Sequence, residues 1–481
     1  MSRAAGSPAD PIDLIQPLGP LDAAARLAGT RGRVVLHSAS NDDGLGRCSF
    51  VATEPIATLI GRGHSLVVLD AAGRPRHRFT GDPLAAAGAF LAEHGCILEP
   101  RGAGAPEPRV IGYLGYDLGR VIERLPGGAS IADDSPDLWL AAYGAVARWS
   151  ADRVELVGPD AAARARLAAQ LARPALPSLA PSFGPLVPHD DRSHHIARIE
   201  RVHDYLAAGD VYQVNLARRM VARITAPGDA LALYTALAEV APAPYGALLE
   251  ADGVTLISGS PERFLASVGD RIETRPIKGT RAHGDGAAAA LAASPKDAAE
   301  HLMIVDLMRN DLGKIAEIGS VSVDQLGYIV ELPALLHKVS RVSGRPRAGI
   351  GYADLLRATF PGGSITGAPK HRAMQLINEL EPVRRGPYCG SLGYFGAAGA
   401  FDLAIAIRIG AMSRDELRVH VGGGIVADSD AAAELDETEL KARGWVAALE
   451  RLDEIRELRE IRELGDHRRP DAATTASGSG T

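Results

Sequence analysis

Residues 254–280 read VTLISGSPERFLASVGDRIETRPIKGT, and the fold is decided by what these residues form. Residues 254–268 and 271–280 are short runs of apolar and β-branched residues broken by Gly and Pro, and each reads as a strand. Upstream, VYQVNLARRMVARI at 211–224 reads as another, preceded by an amphipathic helix, SHHIARIERVHDYLAAGD, that ends at Gly209. Downstream, Ser294-Pro295-Lys296-Asp297 is a helix start: a serine cap, proline at the first helical position and an acid three residues after the cap. The predicted helix runs through AAEHLMIVDLMRND and stops near Gly313. AAELDETELKARGWVAALERL reads as one more helix, and IRELREIREL at 455–464 as a solvated terminal helix with both charge signs at helical spacing.

Further out, RVVLHSAS, HSLVVLDAAG, LWLAAYGAVARWS and RVELVG read as antiparallel strands. DPLAAAGAFLAEHG and DAAARARLAAQLAR between them read as helices. The Pro- and Ser-rich stretch ARPALPSLAPSFGPLVPHDD has no period and places a boundary near residue 185. The expected organisation is an N-terminal region at 1–185, a catalytic region at 186–450, and a terminal helix with a disordered tail at 451–481.

The chain has 481 residues, 46% of them apolar, with net charge -7. That supports a large core, and the absence of a basic stripe argues against a nucleic-acid partner. Cys48, Cys96 and Cys389 are too scattered for a metal-binding pair or a disulfide framework, which fits a reducing compartment. Neither a signal peptide nor an apolar run long enough to span a membrane is visible, so the expected location is cytoplasmic.

Eight ordered stretches carry a resemblance: GDVYQVNLARR, GSPERFL, TRPIKGT, EHLMIVDLMRNDLGKIAEIGSV, FPGGSITGAPK, PYCGSLGYFG, AIRI, and GGGIVADSD followed by ELDETELKA. Together they resemble the chorismate-utilising enzymes over roughly residues 190–450. VVLHSAS, EPIATL and GYLGYDLGR match more weakly. The resemblance implies an α+β fold of two large, mostly antiparallel sheets packed face to face with helices outside and the site in the cleft between them.

It also implies roles. Chorismate is a dianion whose ring hydroxyl must leave, so the site needs a cation and an acid. Glu300, Glu434 and Glu437 are expected to hold Mg2+, a metal that takes oxygen ligands. Glu434 and Glu437, three apart on one helix, share a face. Arg408 and the backbone of Gly422, Gly423 and Gly424 would grip substrate carboxylates. Lys441 would contact another, or simply pair with Glu437 one helical turn away. Tyr388, His337 and Thr366 would line the ring pocket. Glu262 would be the acid and base. A phosphate-loop reading of PGGSITGAPK fails, because Ala368-Pro369 stand where that loop needs Lys and Ser or Thr.

Two positions separate the subfamilies. Lys278 matches the aminodeoxychorismate synthases, in which a lysine attacks ring carbon 2; anthranilate synthase component I, the nearest alternative, usually has alanine there. Gln213 stands where water-using relatives keep a basic lysine, so ammonia is the expected nucleophile. Neither Cys48 in GRCSF nor Cys389 in YCGSL fits a glutaminase turn, and the resemblance implies a separate glutamine amidotransferase subunit as the ammonia source. A catalytically inactive chorismate-binding subunit is the third reading, and the intact acidic and lysine set argues against it.

Overall fold

The computed structural model describes residues 12, 13 and 18–466, apart from 41–42, 100–104, 126–130, 132, 152, 177 and 332–334. The expected disordered tail and most of the first 17 residues lie outside these residues.

The described strands form two large sheets, one of 13 strands and one of 12. Pairings around the site are antiparallel. One core lies between the sheets: Val34, Leu216, Leu249 and Leu256 of the first pack in the same cluster as Leu59, Ile111, Leu140 and Leu403 of the second. A separate core, with Leu233, Leu237, Trp445 and Leu452, seats helices Ala230–Val240 and Ala431–Asp466 on the first sheet. No helix among the described residues is long and apolar enough to cross a membrane.

Residue 185 does not separate two sheets. Val34–His37 pairs with Tyr245–Ala251 in the first sheet, and Pro108–Leu114 pairs with Ser391–Gly396 in the second, so both sheets draw strands from both sides of it. The stretch 254–268 is two strands rather than one. Val254–Ser260 belongs to the first sheet and Arg263–Val268 to the second. Pro261 cannot donate to a ladder, and the chain changes sheet there. Residues 271–280 likewise divide at Pro276, into Arg271–Arg275 and Ile277–Ala282.

Phe401–Ile405 and Ile409–Met412 repeat the sheet change next door. Ser258 is in register with Ile409 in one sheet and Arg263 with Ala404 in the other. Two neighbouring strands therefore cross the gap together. Glu262 lies in one crossing and Arg408 in the other.

The helix expected from Ser294 spans Pro295–Gly313. The Ser294 side chain accepts a hydrogen bond from the Asp297 amide. Ala431–Asp466 joins the two helices expected at the C-terminus into one.

Candidate active site

Glu262 is 5% exposed, in the gap between the sheets. Burial pushes its pKa up to about 7, against a lowering by the Ser364 hydroxyl, the Lys278 charge and the Ile277 amide. Ser364 Oγ donates to Glu262 Oε1 at 2.7 Å. A carboxyl tuned to this range can give up a proton and take one back near neutral pH.

Arg408, in the neighbouring crossing, has φ 48°. This left-handed backbone is uncommon for arginine and is held by the surrounding strands. Burial lowers its pKa with no acidic neighbour opposing the shift. A buried cation of this kind suits a substrate carboxylate. His337 is buried nearby. Burial, then the Arg408 charge, lowers its pKa to about 4, so the ring is neutral. Its Nδ1 lies 2.9 Å from Thr280 Oγ1, and its Nε2 has no hydrogen-bond partner.

Lys278 is on the strand Ile277–Ala282, with Nζ 2.9 Å from Glu300 Oε1. Gln213 Nε2 donates to the same oxygen at 2.9 Å. The two residues expected to distinguish the subfamilies thus meet on one carboxylate, carried by the helix Pro295–Gly313.

The strand Glu416–Ile425 brings the remaining acids close. A Cβ on Gly424 would fall 2.0 Å from Gln213 Nε2 and 3.3 Å from Glu300 Oε1. One on the adjacent Gly423 would fall 3.1 Å from Glu434 Oε2, 4.0 Å from Glu437 Oε1 and 3.9 Å from Lys441 Nζ. Lys441 donates to the Gly422 carbonyl at 2.8 Å and makes the expected helical pair with Glu437 at 2.7 Å. Glu434 accepts from Ser429 Oγ at 2.6 Å.

Glu300, Glu434 and Glu437 therefore flank two successive glycines. Among the described residues no three carboxylate, imidazole or thiol groups are drawn together into a metal-binding cluster. The donors nonetheless fit Mg2+ in kind. All are oxygens, and Glu300 and Glu437 already hold cations, Lys278 and Lys441.

Tyr388 is buried and stacks on His420 with ring centroids 5.4 Å apart, beside a small cavity lined also by Arg385, Arg418 and Asp133. Thr366 turns its hydroxyl back on its own loop, donating to the Gly362 carbonyl at 3.0 Å.

Two side chains that the sequence reading passed over belong here. Ser364 holds Glu262; its signal was a hydroxyl between the glycines of PGGSITGAPK. Arg385, 1% exposed, forks onto Glu381 and donates to the Ile365 and Asn215 carbonyls at 3.0 and 2.6 Å. Its only sequence signal was an acid four residues earlier.

Residues 59–446 match the chorismate-binding enzyme family. The chain is 40% identical over 421 residues to aminodeoxychorismate synthase component 1 of Klebsiella aerogenes, covering 84% of this chain and 91% of that one. It is 39% identical over 370 residues to an anthranilate synthase component 1 of Haloarcula marismortui, covering 71% and 75%. Among solved structures, anthranilate synthase component I from Streptococcus pneumoniae TIGR4 superposes with a TM-score of 0.73 at 28% identity, over 91% of this chain and 100% of that one. With this match, two large antiparallel sheets and the acid–lysine cluster between the motifs, the chain belongs to the family of chorismate-binding enzymes.

Proposed function

We propose that the chain is aminodeoxychorismate synthase component I, an enzyme that aminates chorismate at carbon 4 with ammonia from a partner glutamine amidotransferase. The observation that carries this reading is Lys278. Its amine lies on Glu300, within the electrostatic reach of Glu262. In a reaction that needs no covalent intermediate this amine would serve only as the ion-pair partner of Glu300. Relatives named aminodeoxychorismate synthase component 1 at 40% and 37% identity support it. The name of a first component supports a second, and the cytoplasm is the natural setting for both.

In the proposed mechanism Arg408 and the glycine-strand amides grip the substrate carboxylates. Glu300, Glu434 and Glu437 would hold Mg2+, which when bound supplies positive charge for a substrate carboxylate. Lys278 releases its ammonium proton to solvent and attacks ring carbon 2 as the free amine. The double bond shifts, and the hydroxyl leaves carbon 4 as water with a proton from Glu262. Ammonia then adds at carbon 4, the double bond shifts back, and the lysine amine is expelled. Glu262, now ionised, takes the proton from the new ammonium group. Gln213 cannot act as a base toward water, which favours ammonia as the nucleophile.

Anthranilate synthase component I is the second reading, favoured by the similarity to the Haloarcula and Streptococcus proteins. The test is to incubate the chain with chorismate, Mg2+ and an ammonium salt at mildly alkaline pH and identify the products by chromatography and mass. Aminodeoxychorismate, convertible to p-aminobenzoate by an added lyase, is expected. Anthranilate with pyruvate would establish the second reading instead.

A further inference from the structure

Lys370 is the first residue of the helix Lys370–Leu380, where a cation opposes the helix dipole, and its side chain is only 12% exposed. Neither helix stability nor solvation accounts for a lysine at this position. Its Nζ lies 2.5 Å from Asp311 Oδ2 and donates to the Thr359 carbonyl at 3.0 Å. Asp311, 3% exposed at its side chain, also takes Lys314 Nζ at 3.0 Å, and Lys314 reaches the Ala358 carbonyl at 3.3 Å. The end of the helix Tyr352–Thr359, the start of the helix Lys370–Leu380 and the Glu300 helix therefore meet at one ammonium.

Thr359 and Lys370 are also the two necks of segment 360–369, which presents Ser364 to Glu262. The far side of that segment is pinned to the Gln213 strand, through the Asn215 amide on the Thr366 carbonyl at 2.9 Å and the Tyr212 amide on the Ala368 carbonyl at 2.7 Å. Asp311 lies eleven residues beyond Glu300 on one helix, about three turns, and so on nearly the same face. A buried ion pair is weak evidence for stability, because apolar residues of similar volume often replace it at no loss. What they cannot replace is the bond that ties both necks of the loop to the Glu300 helix.

We infer that Lys370 and Asp311 are a positioning pair that fixes the Ser364 loop against Glu262 and holds that acid in register with the Lys278–Glu300 contact. The inference rests on Glu262 being the proton donor of the proposed reaction. Besides Ser364, the groups facing Glu262 are Lys278, the Ile277 amide and Cys389; none belongs to the node, so its removal acts on Glu262 only through the loop.

The test is the double variant Asp311→Leu with Lys370→Met, measured by thermal unfolding, by kcat and KM for chorismate, and by infrared titration of the Glu262 carboxyl. That band is identified by its loss in Glu262→Gln. The variant is expected to melt close to the parent and keep its KM. Its kcat is expected to fall roughly 10–100-fold, the scale of a small misplacement at the reacting atoms. The Glu262 midpoint is expected to move above about 7 as the Ser364 hydrogen bond loosens. An unchanged kcat and midpoint would reduce the pair to scaffold and overturn the inference. Should the double variant fail to fold, Lys370→Arg is read in the same way: it keeps the charge, but its planar fork cannot take the ammonium's place at both necks. The infrared titration reports on Glu262 whichever product forms, so an error in the substrate assignment would leave this result standing.

Discussion

Glu262 shows how a single side chain is tuned by its place in the chain. Pro261 breaks a strand, the break sets the next residue between two sheets, and burial there raises the carboxyl to about 7. The folded state keeps this proton while the unfolded chain, at about 4.5, has lost it. Stability should therefore fall as pH rises from about 4.5 to about 7, by up to ~3 kcal/mol, and level off above. Glu262→Gln should remove that slope in denaturant titrations across the window while cutting kcat by about 10²–10⁴-fold, the usual weight of a general acid. A slope that persists in the variant would assign it to other groups. At Glu437 the expected effect is on the metal. Glu437→Gln takes one carboxylate from the proposed Mg2+ set and should raise the magnesium needed for half-maximal activity by roughly tenfold, a loss of about 1.4 kcal/mol. An unchanged magnesium titration would remove Glu437 from the set.

At the scale of elements, the glycine strand has little room to spare. Gly424→Ala would set a methyl group 2.0 Å from Gln213 Nε2, so the Gln213–Glu300 contact must give way. Overpacking of this kind costs about 1–3 kcal/mol. The expected result is a lower unfolding midpoint and weaker chorismate binding together, read by denaturant titration and calorimetry. Unchanged binding would mean that the strand does not shape the pocket. The elements differ in how legible they were. The start of the helix Pro295–Gly313 could be read because Ser294 and Pro295 act locally on its first turn, and glycine at 313, a poor helix former, marked its end. The sheet changes at Pro261 and near Arg408 could not. Alternating apolar residues mark a strand without saying which sheet it joins, and Val254–Val268 looks continuous until its partners are known. Site residues in the motifs, such as Lys278 and Glu300, were legible one at a time, but their contact was not. Arg385 and Lys370 serve through bonds to distant carbonyls, which leave no pattern in the chain.

At the scale of the whole molecule, the proline-rich stretch near residue 185 is a connection within one body. Its composition suggested a boundary because it lacks a period, yet the strands on either side pair with each other in both sheets. A fragment of residues 186–450 would expose the edges left by Val34–His37 and Pro108–Leu114. It should show no cooperative unfolding transition in thermal scans, whereas the full chain should. A sharp transition in the fragment would show that residues 186–450 fold independently. The shared sheets also place the proposed site: Val34–His37 pairs with Tyr245–Ala251, which pairs with the strand leading into Glu262, so the N-terminal strands help hold Glu262 and Arg408 in place.

Intact-protein mass spectrometry after mixing the chain with chorismate and Mg2+, in the absence of ammonia, shows whether Lys278 forms a bond to the substrate. An adduct heavier than the chain by one chorismate less one water is expected, mapped to the peptide bearing Lys278 and absent from Lys278→Ala. A chain of unchanged mass that still consumes chorismate and releases anthranilate once ammonium is added would contradict it.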